Sequence, residues 1–196
     1  MKWILWAGAL TPLALLVWLG FTDGLSANPI EQITHWTGTT ALVLLMLTLA
    51  VTPLRRLTGS NRFVKLRRPL GLFAFFYATL HFLTWLAVDQ FFYWEDIVAD
   101  VLKRPYITVG LLAWLLMIPL AATSTRAMVR RLGKRWQTLH RLVYVSGALG
   151  VLHFYWKAAA KSDVREPLIF AGVLALLLAL RIPLWVQRAR RRRVSP

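Results

Sequence analysis

The chain has 196 residues, 58% of them hydrophobic, with a formal net charge of +16, no cysteine and a mean hydropathy of +0.55. Apolar content this high leaves too little polar surface for a soluble domain, so part of the solvent is lipid and soluble fold classes drop out. Without cysteine there are no disulfides, no thiolate-held iron–sulfur cluster or haem and no C-x-x-C-H attachment; the basic residues lie between apolar runs, which argues against nucleic acid as the partner.

Six apolar runs are each close to the ~20 residues that span a bilayer core. In chain order they are Trp3–Phe21, Trp36–Thr52, Pro69–Val88, Tyr106–Ala122, Leu139–Trp156 and Pro167–Trp185. The first has only Met1 and Lys2 ahead of it and no evident small-residue cleavage site, so it is expected to remain a span. The expected fold is an all-α integral membrane protein: one domain over residues 1–196, a six-helix bundle with no internal repeat.

Charge sets the orientation. Arg55, Arg56, Arg62, Lys65, Arg67 and Arg68 fill the 52–69 loop, and Arg126, Arg130, Arg131, Lys134, Arg135 and Arg141 the 123–141 loop. Arg188 and Arg190 to Arg193 fill the C-terminal tail. All acidic residues (Asp23, Glu31, Asp89, Glu95, Asp96, Asp100, Asp163, Glu166) fall in the other loops. The positive-inside rule then places both termini in the cytoplasm. Trp3, Trp136 and Trp185 would mark the inner interface, and Trp18, Trp36, Trp85 and Trp156 the outer one.

Three of the four histidines sit on two of these runs. His81 is roughly 18 Å into the third run at ~1.5 Å per residue, a depth at which an ionisable side chain needs a partner. His153 lies at matched depth on the fifth. Two imidazoles facing each other from neighbouring helices can hold a b-type haem; the plain alternative for each is an interhelical hydrogen bond. His140, thirteen residues before His153, is the candidate ligand for a second haem nearer the inner face. Fourteen residues before His81, where a fourth histidine would face it, stands Arg67, a poor metal ligand but a good clamp for propionates or phosphates. A thirteen-residue step on one straight helix turns His140 roughly 140° away from His153.

His35, at the outer start of the second run, is read as a solvated interfacial residue or a contact for a haem edge, quinol headgroup or partner. Met46 and Met117 are possible sixth ligands or core. Gly71, Ala74 and Ala78 would allow close helix approach. Phe73, Phe75, Phe76, Tyr77 and Phe82 would line an apolar pocket, or simply pack. No G-x-G-x-x-G or phosphate-loop motif appears, so electrons would come from a separate soluble donor or membrane quinol. The basic loops would grip lipid headgroups or a flavin mononucleotide phosphate.

The strings NPIEQITHWTG, LAVTPLRRL, RRPLGLFAFFYATLHFLTWLAVD, YITVGLLAWLLMIPLAATST and LHRLVYVSGALGVLHFYW, in that order over residues 28 to 185, closely resemble the MsrQ (YedZ) family. These are the haem-binding membrane subunits of bacterial MsrPQ methionine sulfoxide reductase systems, within the ferric-reductase-like transmembrane group. The resemblance implies a bacterial inner-membrane location and haem b, one or two per chain. It implies electron transfer from the quinone pool or a cytoplasmic flavin reductase to a periplasmic molybdopterin enzyme, MsrP, for repair of oxidised envelope proteins. It also implies FMN. By matching positions, His81 and His153 carry over as outer ligands and His140 as an inner one, with Arg67 where the wider group has its fourth histidine. The alternatives are a self-contained cytochrome b-type quinol or ferric reductase, and a non-redox membrane protein.

Overall fold

The computed structural model describes residues 2–181. Trp185, the tail arginines and the end of the sixth expected span lie outside the described residues. Among these residues all regular structure is helical: α1 (Lys2–Phe21), α2 (Pro29–Thr58), α3 (Arg67–Leu83), α4 (Trp94–Lys103), α5 (Pro105–Ala122), α6 (Arg126–Leu132), α7 (Lys134–Leu139), α8 (Leu142–Ala159) and α9 (Arg165–Ala179). A 3-10 stretch, Asn61–Leu66, leads into α3, and a π-helical turn, Thr84–Asp89, follows it. Four segments are long and apolar enough to cross a membrane: Trp3–Phe21, Pro29–Thr58, Asn61–Asp89 and Pro105–Ala122. α8 and α9 overlie the fifth and sixth expected runs but fall outside that set.

α2 is longer than its apolar run. Its start is fixed by Pro29 and by the Asn28 side chain, which accepts from the Glu31 N–H at 3.2 Å. Its end is fixed by Gly59, whose φ of +66° suits a left-handed cap. The helix therefore carries Glu31 at one end and Arg55 and Arg56 at the other without uncoiling. α5 likewise begins on Pro105.

The helices pair α2 with α3 and α5 with α8, and α3 and α5 join the two pairs. Leu42, Leu45 and Leu49 of α2 meet Ala74 and Tyr77 of α3, Met117 of α5, Val151 of α8 and Leu174 of α9 in one core. Ala74 is wholly buried, as close helix approach requires. Arg181, beyond α9, is 3% exposed and donates to the Tyr144 hydroxyl at 2.5 Å and to the Leu49 carbonyl.

α1 lies at the periphery, tied by polar contacts. Pro12 interrupts its hydrogen-bond ladder. The Tyr77 hydroxyl then donates to the Ala9 carbonyl at 2.7 Å and accepts from the Leu13 N–H at 3.1 Å. Trp36 Nε1 donates to the Pro12 carbonyl at 3.1 Å. Backbone groups released in apolar surroundings must find such partners.

Two expected loops hold short helices instead. α4 carries exposed Trp94, Val98 and Leu102 on one face, with Glu95 and Asp96 in its first turn; this is a four-residue apolar period too short to stand out in the sequence. α6 and α7 occupy the basic 123–141 loop. The fifth expected run is not one helix: α7 ends at Leu139, His140 and Arg141 make a turn, and α8 starts at Leu142.

Candidate functional site

His81 lies in the last turn of α3, just before the π-helical turn, and His153 lies within α8. Such wide turns recur at functional sites. The two imidazole centroids are 5.9 Å apart, with ring planes at 83°. Two metal–imidazole bonds of about 2.0–2.1 Å each, plus the reach of each ring to its nitrogen, give a centroid spacing of about 6 Å. The observed 5.9 Å matches that length.

Each ring is oriented by a neighbouring backbone. His81 Nδ1 lies 2.8 Å from the Thr34 carbonyl oxygen, and His153 Nδ1 lies 2.7 Å from that of Tyr106. A carbonyl only accepts, so Nδ1 carries the proton in both rings and Nε2 keeps the free lone pair. Each ring also rests on a glycine one turn further along. A Cβ built on Gly38 would stand 2.9 Å from His81 Nδ1, and one on Gly110 would stand 2.6 Å from His153 Nδ1. No real Cβ comes that close, so glycine is required for the rings to lie where they do.

These two half-sites are copies. The offset that relates His81 to His153 also relates Thr34 to Tyr106 and Gly38 to Gly110, and each histidine lies 47 residues after its carbonyl partner. It relates Ala74, wholly buried, to Ser146, 1% exposed, and Ala78 to Gly150. The pairs α2–α3 and α5–α8 therefore present equivalent positions to the two histidines. The expected absence of an internal repeat is thus corrected at these positions, which residue types along whole runs do not reveal. Only the spacing of carbonyl position, glycine and histidine is shared, and the intervening apolar residues are not.

Both histidines line one cavity of about 470 Å³, within the range of cofactor sites. Leu42, Leu45, Ala113 and Met117 line its apolar part; Arg104, Lys157 and Lys161 line it where it meets the acidic loops. Phe82 stacks on Trp114 with centroids 4.3 Å apart, and Trp114 Nε1 donates to Thr79 Oγ1 at 3.1 Å. Of the five aromatics expected to line a pocket, only Phe82 does so. Phe76 is 38% exposed and Tyr77 is spent on α1.

Among the described residues no group of three or more His, Cys, Asp or Glu could hold a metal ion. Two imidazoles alone do not complete a metal's coordination. A planar macrocycle that brings its own four nitrogens does, and the paired rings, glycine cradles and cavity volume fit such a group.

The other expected site residues lie elsewhere. His140 closes α7 and stacks on Trp136, with centroids 3.8 Å apart and its Nδ1 3.1 Å from the Trp136 carbonyl. It does not line the cavity. Since the chain turns between His140 and α8, the angular conflict expected on one straight helix does not arise. Arg67, half-buried at the start of α3, is near enough for its charge to act on His140. His35 stands at the cavity's outer rim, 3.5 Å from Glu166. Met46 is core, and Met117 is both core and cavity wall.

Fold and site together define a helical membrane protein with a two-histidine cleft between paired helices, and the matching family model is the ferric reductase like transmembrane component, over residues 37–151. A protein-methionine-sulfoxide reductase heme-binding subunit MsrQ from Ralstonia nicotianae is 59% identical over 187 residues, covering 95% of this chain and 86% of that one. The Bordetella pertussis MsrQ is 54% identical, covering 95% and 91%. That of Xanthomonas euvesicatoria is 49% identical, covering 100% and 92%. The chain belongs to the MsrQ family.

Proposed function

We propose that this chain is the haem b-carrying electron-transfer subunit of a methionine sulfoxide reductase system in a bacterial inner membrane. Electrons enter from the quinone pool or a cytoplasmic flavin reductase. They leave to a periplasmic MsrP-like molybdopterin reductase that repairs oxidised proteins. In this reading the bundle has six spans with both termini cytoplasmic, and the basic inner loops face anionic lipid headgroups and the phosphate of FMN.

The observation that carries the reading is the pair His81 and His153, lining one cavity at a spacing that matches a single iron between them. Haem supplies one-electron chemistry when bound. The chain's own groups do the rest. His81 and His153 would hold the haem iron through Nε2. Thr34 and Tyr106 fix the tautomers through their carbonyls, and Gly38 and Gly110 leave room for the rings. His140 and Arg67 are the residues placed for a second group toward the inner side.

The test is electron delivery. Dithionite-reduced protein should be reoxidised by the MsrP-like partner with a sulfoxide substrate, and not by ferric chelates. Reoxidation by ferric chelates alone would favour a self-contained reductase.

A further inference from the structure

The cavity has two unlike ends. Toward the middle of the bundle its lining is Leu42, Leu45, Ala113 and Met117, with Ser146, whose hydroxyl already donates to the Ala113 carbonyl at 2.9 Å. The other end reaches Glu31, Asp89, Arg104, Lys157, Lys161 and Glu166, charged residues of the lining. A flat amphiphile that carries carboxylates on one edge has a single favourable way to enter, because a carboxylate at the mid-bundle end would be buried without a partner.

The cations at the polar end are not equivalent. Lys161 pairs with Glu31, and Arg104 with Asp100 at 3.3 Å; His35 stands 3.5 Å from Glu166. Lys157 has no carboxylate within 4.0 Å among the described residues, although the charges of Glu31, Asp89 and Lys161 act on it from further away. It is half-buried and stands one helical turn after His153 on the same face of α8. The copy-related position, one turn after His81, is Trp85. Trp85 also lines the cavity, and its indole N–H has no hydrogen-bond partner among the described residues.

We propose that Lys157 is the counter-ion of a porphyrin carboxylate, so that the macrocycle sits between His81 and His153 with its carboxylate edge toward the acidic loops. This rests on the haem reading above. Lys157 is a positioning residue that does not touch iron. Its cation also favours the more electron-rich state of the group beside it. Charge-assisted hydrogen bonds of this kind are worth about ten-fold or more in affinity.

The experiment compares purified wild type, Lys157→Met and Lys157→Arg for haem per chain, midpoint potential of the His81–His153 haem, and affinity for iron protoporphyrin against its dimethyl ester. In wild type the ester should bind about ten-fold or more weakly. In Lys157→Met the preference for the free acid should largely vanish and the midpoint potential should become more negative. Lys157→Arg should keep both near wild type. If Lys157→Met keeps the wild-type preference and potential, the contact is wrong while the haem reading stands. A wild-type protein that binds no haem would remove both. If Lys157→Met fails to fold, the acid-to-ester preference of Lys157→Gln decides in the same way.

Discussion

His153 is held by Tyr106: the imidazole Nδ1–H donates to the Tyr106 carbonyl at 2.7 Å, and the ring lies against Gly110 one turn later. His81 repeats the arrangement with Thr34 and Gly38. Tautomer and ring position are thus set by backbone, which no side-chain exchange at Thr34 or Tyr106 removes. The vulnerable positions are the glycines.

Gly110→Ala should displace the His153 ring, since the added Cβ would stand 2.6 Å from Nδ1 and 2.9 Å from Cε1. The expected outcome is loss of most of the low-spin haem spectrum from a protein that still inserts and folds. Gly38→Ala, with contacts of 2.9 and 3.0 Å, should act in the same direction and more weakly. Gly172→Ala meets nothing within 4 Å and is the control; it should leave the spectrum intact and stabilise α9 by up to about 1 kcal/mol. Optical spectra and haem quantitation of the three variants check this.

Tyr77→Phe removes the one group that serves both the Ala9 carbonyl and the Leu13 N–H beside Pro12. The cost should be about 1 kcal/mol, expressed as weaker attachment of α1, with haem content unchanged. Thermal unfolding in detergent, with protease access to α1, measures it. Equal loss of haem would mean that α1 does more than cover α3.

His140→Ala should spare the haem held by His81 and His153, because His140 lies in the turn between α7 and α8, stacked on Trp136 and away from that cavity. Haem per chain before and after the substitution separates the outcomes. An unchanged ratio means no second group depends on His140; a reduced ratio with the remaining spectrum intact means one does. Loss of the whole spectrum would contradict this placement.

Much of this was legible in the sequence, for identifiable reasons. Long apolar runs and segregated charge announce a helical membrane protein, and mid-run His81 and His153 announce a buried site because a lone imidazole is costly there. The breaks were harder. Nothing in the apolar composition of the fifth run marks the turn at His140 and Arg141, since the residues on either side suit helix equally well. α4 is only ten residues long and hides in a loop rich in acids. The supports of the site, the Thr34 and Tyr106 carbonyls, are backbone groups that residue type does not report. Gly38 and Gly110 become informative only once the histidine rings are seen to lie on them. Of the aromatic cluster, Phe73, Phe75 and Tyr77 pack with the core and only Phe82 reaches the cavity, a division that residue type does not report.

The most direct measurement is haem per chain, with the reduced optical spectrum, for wild type, His81→Ala and His153→Ala purified from haem-replete cells. Wild type should show a Soret band and sharp α and β bands on reduction, and each substitution should abolish that signal. Retention of a full low-spin spectrum by both variants, or a colourless wild-type protein, would contradict the proposal that these two imidazoles hold the haem.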